Sequence, residues 1–157
     1  MDIQKLTVDF GRAMGNGATM GVVFAQAVDH VIAERDTTVV VRLIRKAQEK
    51  KDAHAERVVR TTFGAIFEGA KITRAKDKTI VGIKIKDATL SNSAKAALDG
   101  LVRDKVSMRG TKWTEAFKKD TDTPKEFDVK AFVERTLKNH KDIDPAVFAA
   151  AFQAVKK

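Results

Sequence analysis

Cations are the residues whose type and spacing most suggest chemistry. On an ideal helix turning about 100° per residue, Arg42, Lys46, Lys50, Arg57 and Arg60 fall within an arc of roughly 80° that no acidic residue enters. Glu49, Asp52 and Glu56 gather on one flank, near Arg45. Val40, Leu43, Ile44, Ala47, Ala55, Val58 and Val59 take the remaining side, interrupted by Lys51. Such a helix folds one flank against a body and shows positive charge on the other. Residues 42–60 would span about 27 Å as a helix. That approaches one turn of duplex DNA, so several phosphates could be met together. An ordinary amphipathic helix with a basic outer side carries the same pattern, so the arrangement suggests a polyanion without specifying one.

A second basic group lies at 71–86. Val81, Ile83 and Ile85 alternate with Gly82, Lys84 and Lys86, the period of a half-buried strand. Residues 71–75 would be its partner and Lys76-Asp77-Lys78 the turn. Lys76 and Lys78 then sit at the tip, with Lys71, Arg74, Lys84 and Lys86 along the strands. Basic ribbons can follow a nucleic acid backbone or enter a groove. Lysines on an edge strand also discourage edge-to-edge aggregation, and the two roles share one sequence pattern. Arg109 and Lys112 lie just before the single tryptophan, Trp113. An aromatic ring among cations can stack on a base. A lone Trp more commonly anchors a core. Aromatics are only 6% of the chain, which argues for contact mainly with phosphates and weak sequence specificity.

Patterns that resemble catalytic motifs fail on chemistry. Gly15, Gly17 and Gly21 precede a helix whose first amides could hold a phosphate. Too few later β-α units follow to build a dinucleotide fold, and a flexible lead into the helix is the better account of the glycines. The run from Gly64 to Lys71 nearly spells a phosphate-binding loop, but Ala70 separates Gly69 from Lys71 and Ile72 replaces the magnesium-binding hydroxyl. His30, His54 and His140 lack metal-ligand spacing, and the pairs Asp120/Asp122 and Asp142/Asp144 do not continue as calcium loops. Glu126, Asp128 and Lys130 have the side chains of a metal nuclease, yet Asp128 is more simply a helix cap. Ser91, Ser93 and Ser107 have no histidine nearby in sequence. The expectation is a protein that is not an enzyme and uses no cofactor or metal.

Charge is unevenly placed along the 157 residues. The chain carries +9, residues 1–41 carry −2, residues 42–112 carry +10 and residues 113–157 carry +1. The whole excess therefore sits in the middle segment, where it raises the local potential for polyanions. There is no cysteine, which excludes disulfides, thiol catalysis and zinc fingers, and which fits a cytoplasmic location. No run of about 18 apolar residues is present, so no membrane partner is expected. Asp2, Lys5 and Asp9 argue against a secretory leader.

The elements that must position these residues follow from periodicity. Residues 5–10 alternate and read as a short strand able to join the hairpin. Residues 18–35 read as a helix. Residues 38–67 read as one helix, with a break near Thr61–Thr62 or Gly64. Ser91 or Ser93 caps a helix reaching to about Met108, with Ala94, Ala97, Leu98, Leu101 and Val102 inward and Lys95, Asp99 and Arg103 outward. A short helix follows around 113–119. Residues 120–124 read as a linker, and Asp128 and Pro145 start two final helices. The fold class is therefore α+β, mainly α. It comprises a helical body with a short antiparallel hairpin or small sheet in a basic domain at 1–119, and a C-terminal helical hairpin at 120–157 packed on it. The leading expectation is a nucleic acid partner, DNA or RNA, held through the basic helix face and the hairpin. The alternative is an adaptor or inhibitor docking on an acidic protein through the apolar side of the last helix, Phe148, Phe152 and Val155, a surface that would also serve a homo-oligomer.

Overall fold

The computed structural model describes residues 2–118 and, beyond them, Thr136, Asp144 and Ala146. The chain divides into two compact units, Met1–Lys119 and Asp120–Lys157. The C-terminal helical hairpin expected at 120–157, with its apolar face, lies outside the described residues. The first unit is α+β and mainly α. Its helices are α1 (Ile3–Ala13), α2 (Gly17–Glu34), α3 (Thr38–Glu49), α4 (Ala53–Ile66), α5 (Asn92–Arg103) and α6 (Thr111–Ala116). Its strands are β1 (Phe67–Glu68), β2 (Lys71–Arg74), β3 (Ile80–Lys84) and β4 (Thr89–Leu90). Among the described residues, no helix is long and apolar enough to cross a membrane.

The segment expected as a strand at 5–10 is helical. Asp2 caps it by accepting from the Gln4 and Lys5 amides, and Leu6, Phe10 and Ala13 are buried along one face. Val8, which alternation would have placed inside with Leu6 and Phe10, is 43% exposed. The single helix expected over 38–67 is two helices. The break falls at 50–52, ahead of the threonines and glycine where it was expected. Lys51 adopts a left-handed conformation at φ 55°. The amides of Lys51 and Asp52 return to the Gln48 and Ala47 carbonyls, and the Asp52 carboxylate accepts from the Ala55 amide to start α4. α5 ends at Arg103, short of Met108, and Lys105 at φ 53° turns the chain away.

β2 and β3 pair antiparallel around the turn expected at 76–78. The register shifts between Thr73 and Arg74, pairing Thr73 with Gly82 and Arg74 with Ile80. Val81 is the extra residue of this bulge. It is 47% exposed, while Ile80, Ile83 and Ile85 are buried. Ile80 thus takes the inward place that strict alternation assigned to Val81. β1 and β4 form a second antiparallel pair, unanticipated, through Phe67–Leu90 and Glu68–Thr89.

α3 is the centre of the unit and packs against α1, α2, α4 and β3. Val39, Val40, Leu43, Ile44 and Ala47 of α3 are fully buried, joined by Phe10, Phe24, Phe63, Ile66 and Leu98. Two glycines of α2 explain its glycine-rich start. A side chain on Gly17 would collide with the Ser107 hydroxyl, and one on Gly21 would lie 2.9 Å from the Trp113 ring. The Gly17 carbonyl accepts from the Met108 amide. Both glycines therefore let the 107–113 segment close on α2. The Asn16 side chain accepts from the Ala18 and Thr19 amides, which are the groups a phosphate would have used.

Candidate nucleic acid interface

The break at 50–52 divides the basic residues that sequence spacing assigns to one face. Arg42, Lys46 and Lys50 belong to α3 and its C-terminal cap, whereas Arg57 and Arg60 belong to α4. The continuous cationic stripe along a single helix does not exist. Nor are these cations uniformly available. The Lys46 ammonium lies 2.8 Å from Glu49, with its stem over Gly11. Arg60 pairs with Glu56 at 3.2 Å, and Arg57 approaches the His54 Nδ1 at 3.4 Å. Arg42 and Lys50 are exposed and have no ion pair among the described residues.

Arg74, Arg109 and Trp113 are used internally. Arg74 donates to Glu56 at 2.9 Å and to the Lys78 carbonyl at 2.8 Å, fastening the hairpin to α4. Arg109 donates to Asp52 at 2.6 Å and to the Met14 carbonyl at 3.2 Å, tying three connecting segments together. Trp113 is completely buried, so the stacking role is corrected to a core role. Its indole N–H donates to the buried Thr62 hydroxyl at 3.0 Å, and its ring packs beside Phe117. Lys112 is exposed at the start of α6.

Carboxylates meeting these arginines stay charged. The hydrogen bond from Arg109 holds the Asp52 carboxyl below the usual carboxylate range against the opposing effect of burial. Burial pushes Glu56 up, but hydrogen bonds from Arg74, Gln48 and Arg60 together outweigh it and leave the carboxyl low. At neutral pH both groups therefore neutralise the arginines beside them.

The hairpin lysines are placed differently. Lys71 and Lys84 are directly opposite across the ladder, and so are Ile72 and Ile83. Side chains alternate along a strand, so Ile72 and Ile83 face the body and Lys71 and Lys84 face solvent together. Lys86 lies exposed in the turn that follows β3, which the Ala88 amide closes onto the Ile85 carbonyl. Lys76 and Lys78 are exposed at the tip. None of these five lysines has an ion pair among the described residues. Asp77, the one acid in the hairpin, turns its carboxylate onto the Thr79 amide at 2.9 Å. That bond holds its carboxyl below the usual range.

Helix α3 holds this surface in place through side chains that sequence patterning did not single out. Arg45 donates to the Ile80 carbonyl at 3.0 Å, and the Thr37 hydroxyl donates to the Ile83 carbonyl at 2.8 Å. The Gln48 side-chain oxygen accepts from the Ile80 amide at 3.4 Å. β3 therefore runs alongside α3 in the opposite direction, and β2 is joined to the body mainly through β3. Asp52 could have been found from sequence, as an N-cap residue between two helix-forming runs. Arg45 carried no comparable signal, because its partner is a backbone carbonyl 35 residues away. A cleft of about 360 Å³ lies between the hairpin tip and the α3–α4 connection, where Asp52, Glu56, Arg74 and Lys78 mix both charges.

Comparison with protein-family models, with curated proteins and with solved structures finds no match, so the reading of this surface rests on its own geometry.

Proposed function

We propose that this is a non-enzymatic nucleic-acid-binding protein whose contact surface is the outer face of the β2–β3 hairpin. The observation that carries the reading is the directly opposed pair Lys71 and Lys84, without an acidic partner among the described residues. Like charges placed opposite each other in a ladder destabilise it. A folded chain that keeps such a pair, in a segment with six basic residues and one acid, gains from it if a polyanion supplies the missing negative charge. Lys86 is exposed in the turn just past β3 at one end of this pair, and Lys76 and Lys78 are exposed at the hairpin tip at the other.

Charge reversal tests the assignment. Full-length protein carrying Lys71→Glu, Lys84→Glu and Lys86→Glu is compared in gel shifts with one carrying Lys46→Glu, Lys50→Glu and Arg57→Glu, which changes net charge equally. At about 50 mM salt the hairpin variant should lose duplex affinity by about a hundredfold, and the helix variant by much less. Equal losses would show that only total charge matters and would remove the hairpin assignment. Circular dichroism on both variants separates lost binding from lost folding.

A further inference from the structure

Resting on that reading, we infer that the ligand is a double-stranded nucleic acid met along its phosphate backbone, with no base stacked and no groove entered. Three observations converge on this. First, a two-stranded ribbon that reads the major groove must project into it. Here β3 is buried against the body through Ile80 and Ile83 and tied to α3, and Arg74 holds β2 near the tip to Glu56. A ribbon anchored along one strand and near its tip does not project, so its lysines meet the outside of a duplex.

Second, single-strand binders gain about 1–3 kcal/mol per stacked base from aromatic rings. The six aromatic side chains among the described residues, Phe10, Phe24, Phe63, Phe67, Trp113 and Phe117, are all buried, none more than 4% exposed. This surface therefore offers no stacking platform. Third, base edges are commonly read by the bidentate fork of arginine. Arg74, the hairpin's one arginine, is spent on Glu56 and the Lys78 carbonyl, which leaves lysines, compact point charges suited to phosphate. Without stacking or readout, affinity follows charge density. A duplex, with one charge per about 1.7 Å of axis, offers more than a single strand.

The test is fluorescence anisotropy of the full chain with two labelled 20-base-pair duplexes of unrelated sequence and one single strand of matching length, across a salt series. Tryptophan emission is recorded in parallel. The two duplexes should bind within about twofold of each other and the single strand at least fivefold more weakly. Contact by three to five lysines gives a log–log salt slope of roughly −3 to −4.5. Emission from Trp113 should not change on saturation. A single strand bound as tightly as the duplexes, a tenfold difference between the duplex sequences, or quenched tryptophan would overturn the inference while leaving nucleic acid binding intact. If no nucleic acid is retained even at 50 mM salt, the proposed function itself fails. Displacement of the duplex by vesicles rich in phosphatidylserine, at equal charge concentration, would reassign the face to an anionic membrane surface and overturn the inference.

Discussion

The α3–α4 segment and the β2–β3 hairpin carry similar numbers of cations, seven in residues 42–60 and six in residues 71–86, and differ in how many acids stand beside them, three against one. In the helical pair, acids stand three or four residues from bases, so the helix itself brings them together, as with Lys46 and Glu49 or Arg60 and Glu56. Two of the three acids also meet arginines from elsewhere, Asp52 with Arg109 and Glu56 with Arg74. In the hairpin, alternation sends isoleucines inward and lysines outward, and the single acid is occupied by its own turn. A count of charges treats the two regions alike. The acids within reach separate them in part: α3 and α4 tie Lys46 and Arg60 to their own acids and leave Arg42, Lys50 and Lys51 unpaired, whereas in the hairpin only Arg74 meets an acid and all five lysines face solvent.

The largest effect should come from the residue that looks most like a ligand contact and is wholly committed to the core. Trp113→Ala should cost about 3–5 kcal/mol in urea unfolding, as for other large buried side chains. Trp113→Phe keeps much of the volume but strands the Thr62 hydroxyl, at about 1–3 kcal/mol. Duplex affinity of the folded Phe variant should stay within twofold of the parent. A large loss of affinity without loss of stability would return Trp113 to the binding surface and erase the contrast between the regions.

A smaller effect separates the helical ion pairs from mere proximity. Asp52→Ala loses both the cap of α4 and the partner of Arg109 and should cost about 2 kcal/mol, given that Arg109 is partly exposed. Asp52→Asn keeps the cap and should cost about half as much. Because the Asp52 carboxyl titrates lower in the folded chain than in the unfolded one, its contribution is present above the ordinary carboxylate value. It is lost as pH falls through the folded value. The gap between parent and Asp52→Asn should therefore be full at pH 7 and close below about pH 4. Urea melts at pH 7, 4 and 2.5 measure it, and a gap independent of pH would mean that the carboxylate's charge is not what stabilises.

The same contrast explains what the sequence could reveal. Local signals were legible: the serine cap of α5, the amphipathic run of α2, and the turn at 76–78 each depend on neighbours within a few residues. The break at 50–52 left one sign, Asp52 as the cap of α4, outweighed by the good helix formers Gln48, Glu49, Lys50 and Lys51 before it. Residues 5–10 satisfied a strand period and a helical face together, and Asp2 decided between them by capping a helix. The inward turn of Ile80 depended on a bulge set by pairing with Arg74, which no period of two contains. At the site, the lysine-bearing ribbon was legible as a pattern. The division of the helix face at Lys51 was not, nor was the commitment of Arg109 and Arg74, whose pairs with Asp52 and Glu56 only tertiary structure creates.

The smallest expected effect draws the sharpest line, because it changes sign between the regions. Lys71→Glu converts a repulsive cross-strand pair with Lys84 into an attractive one, and should stabilise the fold by about 0.2–1 kcal/mol. Lys46→Glu makes the same change of charge on α3, breaks the pair with Glu49 and leaves two acids three residues apart, and should destabilise by about 0.2–0.5 kcal/mol. Duplex affinity should move the other way: down about tenfold for Lys71→Glu and less than threefold for Lys46→Glu. The glutamate at 71 still places a charge on the exposed edge of β2, so protection against edge-to-edge pairing is retained and solubility should not change. If edge protection were the whole reason for Lys71, the gain in stability would come with no loss of any kind. A variant that folds more firmly and binds more weakly marks Lys71 as a residue kept for its ligand at the expense of its own sheet.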